Sequence, residues 1–240
     1  MKKTFVLIIA TMTMMVSFAQ SEKFVKAMES RLSTLDSNTT ADQWKDAANG
    51  FERIADAEKT QWLPYYYAAY CQVMAGTYSL PMDGSFGDNS SITDPAADKA
   101  EQLLNKAESL TTANTETWCV RKMIHGLRMM GNAMSRYMTE GPKADAALST
   151  AKQMNPANPR VYILEGQDKF YTPEQFGGSK EEAKKLFEKA KELFMTSKPA
   201  SMTPPSAMPT PATLPVITPP STPPLINRKA MKAIPKTPAT

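Results

Sequence analysis

The sequence predicts an all-α protein, with antiparallel helix pairs stacked as an α-solenoid and followed by a disordered Pro-rich C-terminal tail. Three observations predict it. Strand signals are nearly absent between residues 40 and 196, a small-large-small pattern recurs there, and each copy is followed by a short polar connection and another apolar-periodic stretch. About 175 residues separate two unusual ends, enough for one domain with a substantial core.

Residues 1–19 read as a signal peptide. Lys2 and Lys3 precede an apolar run from Phe5 to Phe18, and Ser17 and Ala19 stand at the small-residue positions that signal peptidase requires. The run is shorter than the roughly 20 residues that span a bilayer, and Thr11, Thr13 and Ser17 interrupt it, so a retained anchor is the weaker reading. No cysteine lies near the cut to accept a lipid. The mature chain is expected in the periplasm or outside the cell, with no integral membrane span.

Residues 20–39 are expected to form an N-terminal capping helix, running from Glu22 to Leu35, and the repeat domain spans 40–196. Thr40 and Gln43 have the spacing of a capping box. The small-large-small copies are Ala47, Phe51, Ala55; Ala100, Leu104, Ala107; Ala144, Leu148, Ala151; and Ala183, Phe187, Ala190, the first displaced by one at its last position. Spacings of three and four put each set on one helical face, where small residues let a neighbouring helix come close around a single large knob. Between them lie "TQWLPYYYAAYCQVMAG", "NTETWCVRKMIHGLRMMGNAM" and "NPANPRVYILEGQDKFY".

This small-large-small helix, the "MNPANP" turn and the alternation of helices resemble the tetratricopeptide repeat, whose second helix carries the same signature. The resemblance implies stacked helix pairs whose first helices line a concave binding groove. The chain departs from the family in two ways. Its first helices lack a clear Trp-Leu-Gly-Tyr series, and its second-helix alanines stand 53, 44 and 39 residues apart against an ideal period of about 34. The excess falls in a surface loop, "TYSLPMDGSFGDNSSITDP", in a long first helix from about Thr117 to Met138, and in "TPEQFGG". Asp94-Pro95 and Asn158-Pro159 each supply an N-cap followed by proline at the first helical position, and about eight helices are expected.

"FGGSK" invites comparison with a phosphate loop, but the upstream glycine and entering strand of that motif are missing. A turn accounts for it: Gly177 and Gly178 permit positive φ, Ser179 caps the last helix with Glu182 closing the box, Phe176 staples onto it, and Lys180 is solvated.

The tail, residues 197–240, holds 12 of the 19 prolines and no Asp or Glu, so it reads as an extended, solvated chain. A natural spacer, a ligand for a proline-recognising partner and a shifted reading frame all fit that composition. The tail and the signal together hold seven basic residues. Without them, 21 Lys and Arg face 24 Asp and Glu, so the basic pI is no sign of nucleic-acid binding.

Catalytic and metal chemistry find little support. One histidine and two cysteines without ligand spacing make a transition-metal site improbable, "DGSFGDNSSITD" lacks the pattern of a calcium loop, and no nucleophile elbow occurs. No cofactor is expected. Cys71 and Cys119 lie on apolar helical stretches and read as buried thiols rather than a disulfide. What remains is a binding surface. Arg121, His125, Arg128 and Asn132 form a polar stripe, either solvated or suited to a carboxylate of a bound peptide. Tyr66 and Tyr70 share a face, either packed in a core or walling a groove. The expected site is therefore Tyr66, Tyr70, Arg121, His125 and Arg128. The expected function is a non-catalytic scaffold of the periplasm or cell envelope that binds a protein or peptide in its concave groove. The alternative is a glycan-associated component of an outer-membrane uptake system.

Overall fold

A computed structural model describes residues 22–81 and 87–196. The expected signal peptide, the tail and the centre of the loop after the Tyr-rich helix lie outside these residues.

Eight α-helices run through the described residues, with no strand among them. They are α1 (22–32), α2 (Ala41–Ala57), α3 (Trp62–Tyr78), α4 (Ser90–Glu108), α5 (Thr115–Gly131), α6 (Ala133–Met154), α7 (Pro159–Tyr171) and α8 (Lys180–Thr196). From α2 onward each helix packs against the next, and α3 also touches α5, and α5 touches α7. Pairs α3–α4, α5–α6 and α7–α8 thus stack with their first helices adjacent, the arrangement of an α-solenoid.

Each small-large-small copy lies on a second helix, and its alanines face inward. Ala47, Phe51 and Ala55 in α2 are buried, as are Ala100, Leu104 and Ala107 in α4, Ala144, Leu148 and Ala151 in α6, and Ala183 and Ala190 in α8. Glycines extend the close approach. A Cβ on Gly76 would stand 2.7 Å from Leu127 Cδ2 and 2.9 Å from Ala96 Cβ, so its absence lets α4 and α5 close onto α3.

The core is unequal. One large apolar cluster joins α1 to α5, with Phe51 stacked on Tyr67 at 5.0 Å and Trp44 edge-on to Tyr70 at 5.8 Å. A smaller one holds Cys119, Leu148, Ala151, Val161 and Leu164 where α5, α6 and α7 meet.

Local signals set the ends of several helices. The Thr40–Gln43 capping box is complete, Asn158 accepts from Arg160 N with Pro159 opening α7, and Ser179 Oγ accepts from Glu182 N. Three expectations need correction. First, α4 begins at Ser90 and carries Pro95 inside it, because Asp88 accepts from Ser90 N at 2.9 Å and Asn89 O accepts from Thr93 N; Asp94 is thereby left to bond elsewhere. Second, the long helix expected from Thr117 to Met138 is two helices broken at Asn132. That residue is extended (φ −156°, ψ 81°), and its side chain accepts from Ser135 N to start α6. Third, only Gly177 has positive φ (91°), whereas Gly178 is required because a Cβ there would collide with the Thr172 carbonyl. Phe176 is half exposed, so the staple does not hold, and Lys180 is exposed as expected, with its ammonium 5.8 Å from the Phe170 ring centre.

Candidate functional site

Of the five residues expected to form a groove, Tyr66 and Tyr70 are buried, and Arg121, His125 and Arg128 are half-buried. Tyr66 and Tyr70 are buried in the large core, so neither walls a groove. Tyr65 and Tyr67 join them, since α3 is covered on nearly every side by α2, α4 and α5. The polar stripe of α5 does meet carboxylates, but they belong to this chain. Arg121 donates to Glu108 Oε2 at 2.5 Å and to Asn105, and also pairs with Glu101 at 3.6 Å. Arg128 donates to Asp98 at 2.8 Å and to Glu101 at 2.7 Å. His125 Nδ1 lies 2.8 Å from Glu140 Oε2. Burial would raise the Glu140 carboxyl, but hydrogen bonds from Lys143 and His125 outweigh it and hold it below its ordinary value. These pairs join α5 to α4 and α6.

A second polar constellation was hidden from the sequence reading. Glu116 in the first turn of α5 is 4% exposed, and its carboxylate gathers donors from two other first helices. Tyr66 Oη donates to Oε2 at 3.0 Å, Arg160 to Oε2 at 2.7 Å, and Asn158 Nδ2 to Oε1 at 2.6 Å. Burial would lower the Arg160 guanidinium, but Glu116 outweighs it and holds it above its ordinary value. Burial pushes the Tyr66 phenol well up, so it stays a neutral donor. A buried ion pair with its remaining hydrogen-bond capacity filled fixes geometry more than it adds stability. Here it clamps α3, α5 and α7 at one end of the stack. "NTETW" shows only a capping Asn and an acid in a first turn, the ordinary helix-dipole arrangement, so nothing local points to an inward carboxylate.

The accessible apolar surface lies elsewhere, where α5 passes into α6. Met134 and Met138 are each 79% exposed and Tyr137 is 55% exposed, with Met130 at 39% at the end of α5. Met134, Tyr137, Met138 and Gly141 fall at i, i+3, i+4 and i+7, one face of α6. That face continues down the helix to Leu148, which packs with Val161 and Leu164 of α7. The lower part is covered and the upper part is not, because α7 has 13 residues and α6 has 22, lengths of about 20 and 33 Å. Gly126 of α5 stands one turn beyond Lys122, which bonds Asp168 of α7, so it too faces the side that α7 covers lower down. A Cβ on Gly126 would meet nothing within 4 Å, and one on Gly141 nothing nearer than Met129 Sδ at 3.9 Å. The result is an exposed face of thioether and phenol side chains on α6, with two uncrowded glycines, Gly126 and Gly141, on α5 and α6.

Among the described residues no three His, Cys, Asp or Glu side chains come together as a metal site. Cys71 and Cys119 are free and buried, with burial pushing both thiols well above their ordinary value, so neither is a reactive thiolate. No helix of the described residues is long and apolar enough to cross a membrane.

No family model matches the chain, so the tetratricopeptide resemblance remains one of pattern, and no curated protein matches it. A solved structure does. The HusA haemophore from Porphyromonas gingivalis superposes on 80% of this chain and 85% of its own with a TM-score of 0.63 and 32% sequence identity. Identity at that level, over most of both chains and with the same helical architecture, means that this chain belongs to the family of the HusA haemophore.

Proposed function

We propose that this chain is an exported, non-catalytic carrier that captures haem on the exposed face at the start of α6. The observation that carries the reading is the exposed Met134–Tyr137–Met138 face in a chain of a haemophore's family. Large apolar side chains exposed on one contiguous face cost hydration free energy, and such faces mark sites of binding. Haem suits this face for two reasons. Its flat macrocycle is apolar and polarizable, as are methionine and tyrosine side chains. Its iron takes thioether or phenolate ligands, which Met134, Met138 and Tyr137 can offer.

The carrier role of the uptake alternative is retained and its cargo changed from glycan to haem. A peptide in a cationic groove loses support, because Arg121 and Arg128 are already held by Asp98, Glu101 and Glu108.

Haemin titrated into the protein, followed by its Soret band and by tryptophan quenching, tests the reading. Saturable binding is expected, and Met134→Ser with Met138→Ser is expected to weaken it at least about tenfold with helicity unchanged, as for exposed sites. Absence of haemin binding removes the reading; undiminished binding by the double variant moves the site off this face.

A further inference from the structure

Among the described residues the stack ends at α8. There Phe170 of α7 and Phe187 of α8 floor a groove of about 300 Å³, edged by Lys180, Lys184 and Lys191 with Glu188. Two of the three internal junctions of the stack, α4–α5 and α6–α7, show what such a groove accepts; at the third, α2–α3, Asp56 follows Ala55 and the residue 13 later is the buried Ala69.

At α4–α5 and α6–α7 the residue just after the last alanine of the repeat pattern pairs with a residue 13 positions later, on the incoming first helix. After Ala107, Glu108 of α4 receives Arg121 of α5 at 2.5 Å. After Ala151, Lys152 of α6 bonds Glu165 of α7 at 2.7 Å. The residue after the first alanine takes part at the α4–α5 junction, where Glu101 receives Arg128. The charge of the residue after the last alanine is reversed between these two junctions and matched by its partner in each, so an acid there takes an arginine and a lysine there takes a glutamate. Lys191 follows Ala190 and Lys184 follows Ala183, placing α8 in register with both edges. The residue 13 beyond Lys191 is Pro204, and residues 197–240 contain no Asp or Glu, so this chain's continuing sequence does not supply the complementary charge.

We propose that the groove between α7 and α8 seats an amphipathic helix of a partner polypeptide. The helix brings carboxylates to Lys184 and Lys191 and an apolar stripe to Phe170 and Phe187. Docking of this kind reads as anchors at i, i+3, i+4 and i+7. Its lining shares no residue with the Met134–Tyr137–Met138 face, and the docking does not depend on where haem binds.

The test uses the full chain and two labelled 17-residue helical peptides with the same leucine stripe, one flanked by glutamates and one by lysines, with binding followed by fluorescence anisotropy. The glutamate peptide is expected to bind at least tenfold more tightly and to weaken with salt. Lys184→Glu combined with Lys191→Glu is expected to invert the preference, an inversion that only a folded variant can give. Equal binding of the two peptides, no binding, or a preference unchanged in the double variant overturns the proposal. So does self-association of the full chain that the double variant abolishes, which would seat a second copy, or displacement of the glutamate peptide by haemin, which would seat a tetrapyrrole.

Discussion

Helices α3 and α6 sit in the same stack and are built on opposite terms. Helix α3 buries 13 of its 17 residues, whereas α6 buries five of 22, all from Glu140 onward. The difference lies in their neighbours. Helix α3 is enclosed by α2, α4 and α5, so even its tyrosines are core, while α6 outruns the shorter α7 and leaves its first turns uncovered. In this fold a helix is core where its neighbours match its length and exposed where they do not.

The largest effect that would sharpen this contrast is expected at the clamp. Glu116→Ala leaves Arg160 buried without its carboxylate and strips Tyr66 and Asn158 of their acceptor. It is expected to destabilise the protein by about 3–5 kcal/mol, measured by urea denaturation. A loss below about 1 kcal/mol would mean that the enclosed half does not rely on the clamp, since surface changes are of that size.

A matched pair of glycine substitutions tests the comparison directly. Gly76→Ala forces a Cβ between Leu127 and Ala96 and is expected to cost about 1–3 kcal/mol. Gly141→Ala meets no near neighbour and is expected to stabilise α6 by up to about 1 kcal/mol through helix propensity. Equal losses in melting temperature for the two would show that α6 is covered after all.

The smallest effect concerns what holds the uncovered turns of α6. Arg136 of α6 grips Asp94 of α4 with two hydrogen bonds, at 2.5 and 2.8 Å, and this holds the Asp94 carboxyl below its ordinary value. A carboxyl depressed in the folded state stabilises above its unfolded value of about 3.9, and the contribution is lost as pH falls through the folded value. The pair is partly exposed, so solvent screening limits it to no more than about 1 kcal/mol. Arg136→Gln is therefore expected to lower the melting temperature slightly at pH 7 and to converge with the parent below about pH 4. A constant difference across that range would assign the loss to packing of the Arg136 stem.

Much of the architecture was legible in residue order. The Thr40 capping box, the Asn158-Pro159 start and the four alanine patterns are local features, and local features encode which face of a helix turns inward. The site was less legible for a definite reason. The polar stripe of α5 showed its chemistry correctly, since arginines and a histidine at helical spacing do seek carboxylates, but spacing cannot say whether those carboxylates come from a ligand or from α4 and α6. The break at Asn132 concealed the exposed face of α6, because reading α5 and α6 as one helix to Met138 puts Met134 and Tyr137 on a fading helix end rather than on a new helix.

By itself the sequence determined the helices, the small faces along which they pack and most of the caps that start them, because these depend on residues within about four positions of one another. Tertiary structure alone decided the rest. It brought Glu116 to Tyr66, Asn158 and Arg160 across separations of 42 to 50 residues, it closed Arg121 and Arg128 onto internal acids, and it stopped α7 short of the methionines of α6. Partners so distant in the chain, and the relative lengths of neighbouring helices, are fixed only when the helices stack.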